Sequence, residues 1–140
     1  MTYRKATIRA YRADDESLLF SLARESFGTR ESWSDDEALR SLETDTVFVA
    51  ELGGDRAGYV AIERRGDTVR IEQLLVSPRH EHEGIGNQLV DYVEGLAISE
   101  GATRLEIVVE PDNLRAREFY VRRSFVPGGE ALLERPLPHA

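Results

Sequence analysis

One stretch of this chain has the residue types and spacing to do chemistry. It is Val76-Ser77-Pro78-Arg79-His80-Glu81-His82-Glu83-Gly84-Ile85-Gly86-Asn87. The apolar run Leu74-Leu75-Val76 leads into it, and an amphipathic pattern follows it. A strand that passes through a glycine-containing turn into a helix is built to hold an anion. The backbone N–H groups of a helix's first turn have no partner within the helix, and the helix dipole favours negative charge there. Glycine allows the tight bend and the close approach of a phosphate. The chemistry expected is the binding of a phosphate-bearing cofactor or substrate. His80 and His82 share the turn, but with no cysteine in the chain and only His139 besides, no metal site is expected.

The elements that must position this turn can be read on either side of it. Residues Thr68 to Val76 predict a strand, with Glu72, Leu74 and Val76 on one face and Ile71, Gln73 and Leu75 on the other. Ile85, Leu89, Tyr92, Val93 and Leu96 recur at three- and four-residue steps and predict a helix ending near Gly101. Arg104 to Val109 predicts the next strand. Strand, helix and strand in that order form a βαβ unit, so its two strands are expected to be parallel.

Upstream, Thr7 to Tyr11 alternates as a first strand. Asp14 and Asp15 offer capping oxygens to a helix carrying Leu18, Leu19, Leu22, Ala23 and Phe27, and Gly28 ends it. Ser34 and Glu37 match a capping box for a second, short helix with Ala38, Leu39 and Leu42. Thr46–Leu52 and Arg56–Arg64 flank Gly53-Gly54-Asp55 as a hairpin. Downstream, Pro111-Asp112-Asn113 breaks the chain before a helix of about Leu114 to Arg123. Phe125-Val126 and Leu132-Leu133 then predict a final pair of short strands.

Composition bounds the possibilities. At 140 residues, 1–140 is expected to form a single domain with one buried core. No apolar run approaches the roughly 20 residues of a membrane span. The N-terminus lacks the apolar centre of a signal peptide, so the expected compartment is the cytoplasm. A net charge of -8 argues against a nucleic-acid binder. Lys5 is the only lysine among the basic residues. Three readings fit: a solvated acidic surface, adaptation to salt, or an acidic groove that attracts a cationic acceptor.

Taken together, these elements and motifs resemble the GNAT superfamily of acetyl-CoA-dependent N-acetyltransferases. That family's turn reads Arg/Gln-x-x-Gly-x-Gly/Ala after Val-x-Pro. Here Val76-Ser77-Pro78 precedes Glu81-His82-Glu83-Gly84-Ile85-Gly86. A second family signature, Asn-x-x-Ala-x-x-Phe-Tyr-x-x-x-Gly-Phe, is matched by Asn113, Ala116, Phe119, Tyr120, Ser124 and Phe125. The resemblance implies an α/β (α+β) fold: a mixed, mostly antiparallel sheet, a splayed parallel pair, and helices on both faces.

It also implies roles. Backbone amides of His82, Glu83, Gly84, Ile85, Gly86 and Asn87 would cradle the CoA pyrophosphate. Leu74, Leu75 and Val76 would line the pantetheine arm, and an N–H of Leu74 or Leu75 would polarise the thioester carbonyl. Asn113 would contact the cofactor, and Tyr120 would protonate the leaving thiolate. The implied reaction is direct transfer from acetyl-CoA to an amine of a small molecule, in a ternary complex. An amine attacks only when neutral, so a base is needed. Glu72 is the candidate. Its alternative is a plain ion pair with Arg70 or Arg104, while Glu106 and Glu110 compete for the role.

Two departures stand out. Glu81 replaces Arg or Gln, and with Glu83 puts carboxylates beside the anion unless both point to solvent. Ser124 replaces a glycine at an expected left-handed position. Relatives that acetylate protein N-termini often carry a glutamate five residues before the motif asparagine, where this chain has Val108. Peptide or lysine acetylation is the alternative reading, and a non-catalytic acyl-CoA sensor is another. Trp33, Phe27 and Arg30 fall where the family forms its acceptor pocket. A monomer or a homodimer fits, since family members often pair through the C-terminal strands.

Overall fold

Among the described residues there are seven strands, six of them within a residue of their expected bounds, while the last runs three residues past the expected Leu132-Leu133. They are β1 (Thr7–Ala10), β2 (Thr46–Leu52), β3 (Asp55–Arg65), β4 (Thr68–Val76), β5 (Arg104–Val108), β6 (Val126–Pro127) and β7 (Leu132–Pro136). Among the described residues, helices α1 (Ile85–Ser99) and α2 (Leu114–Arg122) follow β4 and β5. The computed structural model describes residues 4–17, 19, 21, 22, 46–129 and 131–138. The predicted helix around Ser34 to Leu42, and Phe27, Gly28, Arg30 and Trp33, lie outside the described residues.

The strands form one sheet in the order β1-β2-β3-β4-β5-β7-β6. Pairing is antiparallel for β1 with β2, β2 with β3, β5 with β7 and β6 with β7. It is parallel for β4 with β5, as the βαβ order requires. That parallel register runs from Thr68↔Arg104 to Ile71↔Ile107, while β4 continues to Val76. The mixed, mostly antiparallel sheet expected from the resemblance is therefore present. Among the described residues no helix is long and apolar enough to cross a membrane.

The chain groups into two compact units. The first holds the described residues up to Ile62 together with Gln73–Tyr92, and the second holds Glu63–Glu72 and the described residues from Val93 onward. The first is built on Leu19, Leu22, Val47, Val49, Tyr59, Ala61 and Leu75, with Tyr11 packed against them. Its hairpin closes on Gly53 (φ 60) and Gly54 (φ 87) between the paired Leu52 and Asp55. Two left-handed residues in a two-residue loop match the strand twist. Gln88 of α1 fixes the N-terminal segment: it accepts from Ala6 N–H at 2.7 Å and donates to Arg4 O at 2.9 Å.

Asp15 ends a short 3-10 turn, Ala13–Asp15, that leads into helical residues between 16 and 22. Its carboxylate does cap, accepting from Arg12 N–H at 2.8 Å. It is also fully buried, where Arg9 meets it with two bonds of 2.8 Å and Arg56 with one of 2.5 Å. In the second unit, Leu105, Ile107, Tyr120, Phe125 and Leu133 are buried. Arg135 there pairs with Glu94 at 2.5 Å.

Candidate active site

The anion turn belongs to the first unit. β4 reaches it with Leu75 buried and Leu74 and Val76 half-buried. At its end Ser77 donates its N–H to Ala57 O in β3, at 2.7 Å. Backbone N–H groups alternate sides along a strand, so that of Leu75 also points towards β3. Those of Leu74 and Val76 point to the opposite edge. Ala57 is the extra residue where the β2–β3 register shifts: Ala50 pairs with Gly58 and Glu51 with Arg56.

Gly58 is a point of close approach that the strand pattern concealed. A Cβ on it would stand 2.6 Å from Leu75 O and 3.3 Å from both Val76 Cα and Ile85 Cγ2. Only glycine lets β3 lie this close to the end of β4 and the start of α1. The available signal was an isolated glycine inside a strand pattern. A buried polar pair was missed as well. Gln73 is only 2% exposed and accepts a 2.5 Å hydrogen bond from the Tyr59 hydroxyl. Burial pushes the Tyr59 phenol above its ordinary range, so it stays a donor.

Beyond Ser77, the 3-10 turn Pro78–His80 is capped by the serine hydroxyl, which accepts from Arg79 N–H at 3.4 Å. His82 (φ 65) and Gly84 (φ 79) take left-handed backbones. The first ladder bond of α1 runs from Gln88 N to Gly84 O at 3.1 Å. The N–H groups of Ile85 and Gly86 precede that bond, at the end of the helix where an anion is favoured. Glu81 is exposed. Glu83 does not simply face solvent as expected, because its carboxylate meets His80 Nδ1 at 3.1 Å.

The second unit holds Glu72, Asn113 and Tyr120. Asn113 is the N-cap of α2, its side-chain oxygen accepting from Ala116 N–H at 3.3 Å. Tyr120 lies in the last turn of α2, buried, with ring contacts to Phe119 and Phe125 at 5.0 and 5.3 Å between centroids. Burial raises its phenol above the ordinary range, Arg123 opposing this slightly. The helix ends in a Schellman motif: Phe125 N–H donates to Tyr120 O (3.1 Å) and Ser124 N–H to Val121 O (3.0 Å). Ser124 has φ 73, the left-handed residue that the sequence predicts there.

Glu72 is half-buried. Arg70 pairs with Glu106 at 2.8 Å, and Arg104 with Glu134 at 3.3 Å. Glu72 lies 3.9 Å from Arg65. Neighbouring Glu63 is held below the usual carboxylate range by Arg65 first, then by a hydrogen bond with Glu72. Glu106 is buried against Arg70, and Glu110 is exposed. Among the described residues no group of three or more His, Cys, Asp or Glu side chains is arranged to hold a metal ion.

Comparison with known proteins bears on what this arrangement does. The model of the acetyltransferase (GNAT) family matches residues 9–125. An uncharacterized N-acetyltransferase of Archaeoglobus fulgidus is 34% identical over 89 residues, 59% of this chain and 60% of that protein. One from Methanocaldococcus jannaschii is 32% identical over 95 residues, 62% of this chain and 42% of that protein. The chain thus spans 60% and 42% of the lengths of these curated relatives.

Among solved structures, the PaiA N-acetyltransferase of Thermoplasma acidophilum, in complex with coenzyme A, matches with a TM-score of 0.77. It is 20% identical, over 95% of this chain and 99% of that one. The ribosomal-protein-S18-alanine N-acetyltransferase of Escherichia coli also gives 0.77. It is 18% identical, over 97% and 96% of the two chains. At these identities the likeness is one of fold.

Proposed function

Because the chain belongs to the acetyltransferase (GNAT) family, we propose that it transfers an acetyl group from acetyl-CoA to an amine of a small molecule. We take residues 1–140 as one catalytic domain acting by direct transfer in a ternary complex. The observation that carries the reading is the strand end of β4 running through a turn with left-handed His82 and Gly84 into α1. The N–H groups that precede the ladder suit a pyrophosphate.

In this reading the amides from His82 to Asn87 hold the pyrophosphate. Leu74, Leu75 and Val76 line the pantetheine arm, and Asn113 contacts the cofactor. Leu74 is favoured over Leu75 as the donor to the thioester carbonyl, since its N–H points away from β3. Glu72 takes a proton from the acceptor ammonium, which leaves a neutral amine to attack. The amine nitrogen bonds to the carbonyl carbon, the C–S bond breaks as Tyr120 gives its proton to the departing sulfur, and the proton shed by the nitrogen as the amide forms returns to the Tyr120 oxygen. A phenol raised by burial is protonated at neutral pH and able to donate.

The test is release of free CoA thiol across amines, amino acids, aminoglycosides and peptides. Acetylation of one or more small amines is expected, and turnover restricted to peptides would overturn the acceptor class. Tyr120→Phe separates an enzyme from a sensor. Its turnover is expected to fall about 100-fold, with CoA affinity by calorimetry unchanged within about twofold. Equal turnover in both proteins would remove Tyr120 from the reaction.

A further inference from the structure

The anion turn carries side-chain contacts as well as its backbone cradle. His80 sits in the 3-10 turn after Ser77, its side chain 11% exposed. Each ring nitrogen meets a carboxylate: Nδ1 stands 3.1 Å from Glu83 Oε2, and Nε2 stands 3.3 Å from Asp55 Oδ2. Glu83 belongs to the anion turn, and Asp55 opens β3 at the β2–β3 hairpin. The imidazole therefore links two stretches far apart in sequence. The link lies beside His82, whose left-handed backbone costs roughly 1 kcal/mol for a residue with a Cβ. A turn carrying that strain needs outside contacts to hold its shape.

The ring also faces a constraint of proton count. Carboxylates only accept, so both contacts are hydrogen bonds only when both ring nitrogens carry protons. A neutral ring donates to one carboxylate and turns a lone pair on the other. Asp55 and Glu83 are the charged groups recorded against the ring among the described residues. Arg79 and Glu81 flank His80 in the chain.

We propose that His80 is a positioning residue for the cofactor turn, tying it through Glu83 to the β2–β3 hairpin at Asp55, and that the tie is complete only in the doubly protonated ring. The inference rests on the acetyl-CoA reading of that turn. It also assigns Glu83 a partner that keeps its carboxylate off the pyrophosphate.

The experiment compares CoA binding by calorimetry from about pH 5 to about pH 8, where histidine changes charge, in wild type, Asp55→Asn and His80→Ala. An asparagine can donate to a neutral Nε2, so Asp55→Asn suits the neutral ring with Nδ1 donating to Glu83. Wild-type affinity should fall about three- to tenfold more across this range than that of Asp55→Asn. Taking the ratio cancels titration of the cofactor's own phosphate. His80→Ala should bind more weakly than wild type at the acid end. Parallel profiles, or full affinity in His80→Ala, overturn the proposal. Amide hydrogen exchange of residues 81–87 reads the tie without cofactor. Faster exchange in His80→Ala supports it, and unchanged exchange overturns it. Absence of CoA binding at every pH overturns the acetyl-CoA reading instead, and the exchange still decides the tie.

Discussion

Ser124 carries a conformational cost that its neighbours outweigh. Its φ of 73 puts a Cβ-bearing residue in the left-handed region. The Schellman bonds from Ser124 and Phe125 hold it there, and the Phe125 ring packs on Tyr120 from the next residue. Glycine would keep the two bonds and remove the steric cost, but it would also enlarge the freedom of the unfolded chain. The first effect is the larger for a serine at this angle. Ser124→Gly should therefore stabilise the protein by roughly 0.5–1 kcal/mol, read as a higher urea midpoint at unchanged slope. A lower midpoint would mean that the serine makes a compensating contact. This position was legible in the sequence because a motif specified its backbone. The partners of Glu72 were not, since side-chain pairing across strands depends on register. The alternation of β4 placed Glu72 with Leu74 and Val76 on the half-buried face, but not its 3.9 Å approach to Arg65 of β3.

At the scale of elements, most of the fold was legible because each strand and helix carries its own period and punctuation. β2, β4 and the start of β5 fall where the pattern puts them, and α2 begins after Asn113 as expected. What escaped depends on contacts between elements. Gly58 read as one more residue of a strand, and Gln73 as an ordinary polar side chain. The structure makes the first a point of close approach and buries the second under a tyrosine hydroxyl. The Gly58 contact is with backbone, which cannot yield as the end of a flexible side chain does. Gly58→Ala must move β3 away from Leu75 O or displace the start of α1 at Ile85. The expected cost is about 2 kcal/mol or more, in the range of core overpacking. CoA affinity should weaken as well, because the displaced residues lead into and out of the anion turn. A variant as stable as wild type with full CoA affinity would show that the strands yield without effect on the turn.

At the scale of the whole molecule, two electrostatic effects oppose each other. A net charge of -8 repels itself, and salt or partial protonation relieves that repulsion. Asp15 works in the other direction. It is fully buried, and its carboxyl is held well below the usual carboxylate range, first by the Arg9 hydrogen bonds and also by Arg12 N–H and Arg56. A carboxyl whose folded pKa is depressed stabilises the fold above its unfolded value of about 3.9 and loses that contribution as pH falls further. Replacing it with Asn leaves Arg9 and Arg56 without their buried counter-charge, which should cost about 3 kcal/mol near neutral pH. Because the group is shielded from solvent, raising salt should increase the melting temperature of wild type and Asp15→Asn alike and leave their gap unchanged. Lowering the pH from about 7 to about 3 should narrow the gap, since the unfolded wild-type chain then takes up a proton that the folded one refuses. Urea unfolding of both proteins at the two pH values measures this directly. A gap that closes with salt, or stays the same at acid pH, would mean that Asp15 acts through long-range charge and not through its buried arginine partners.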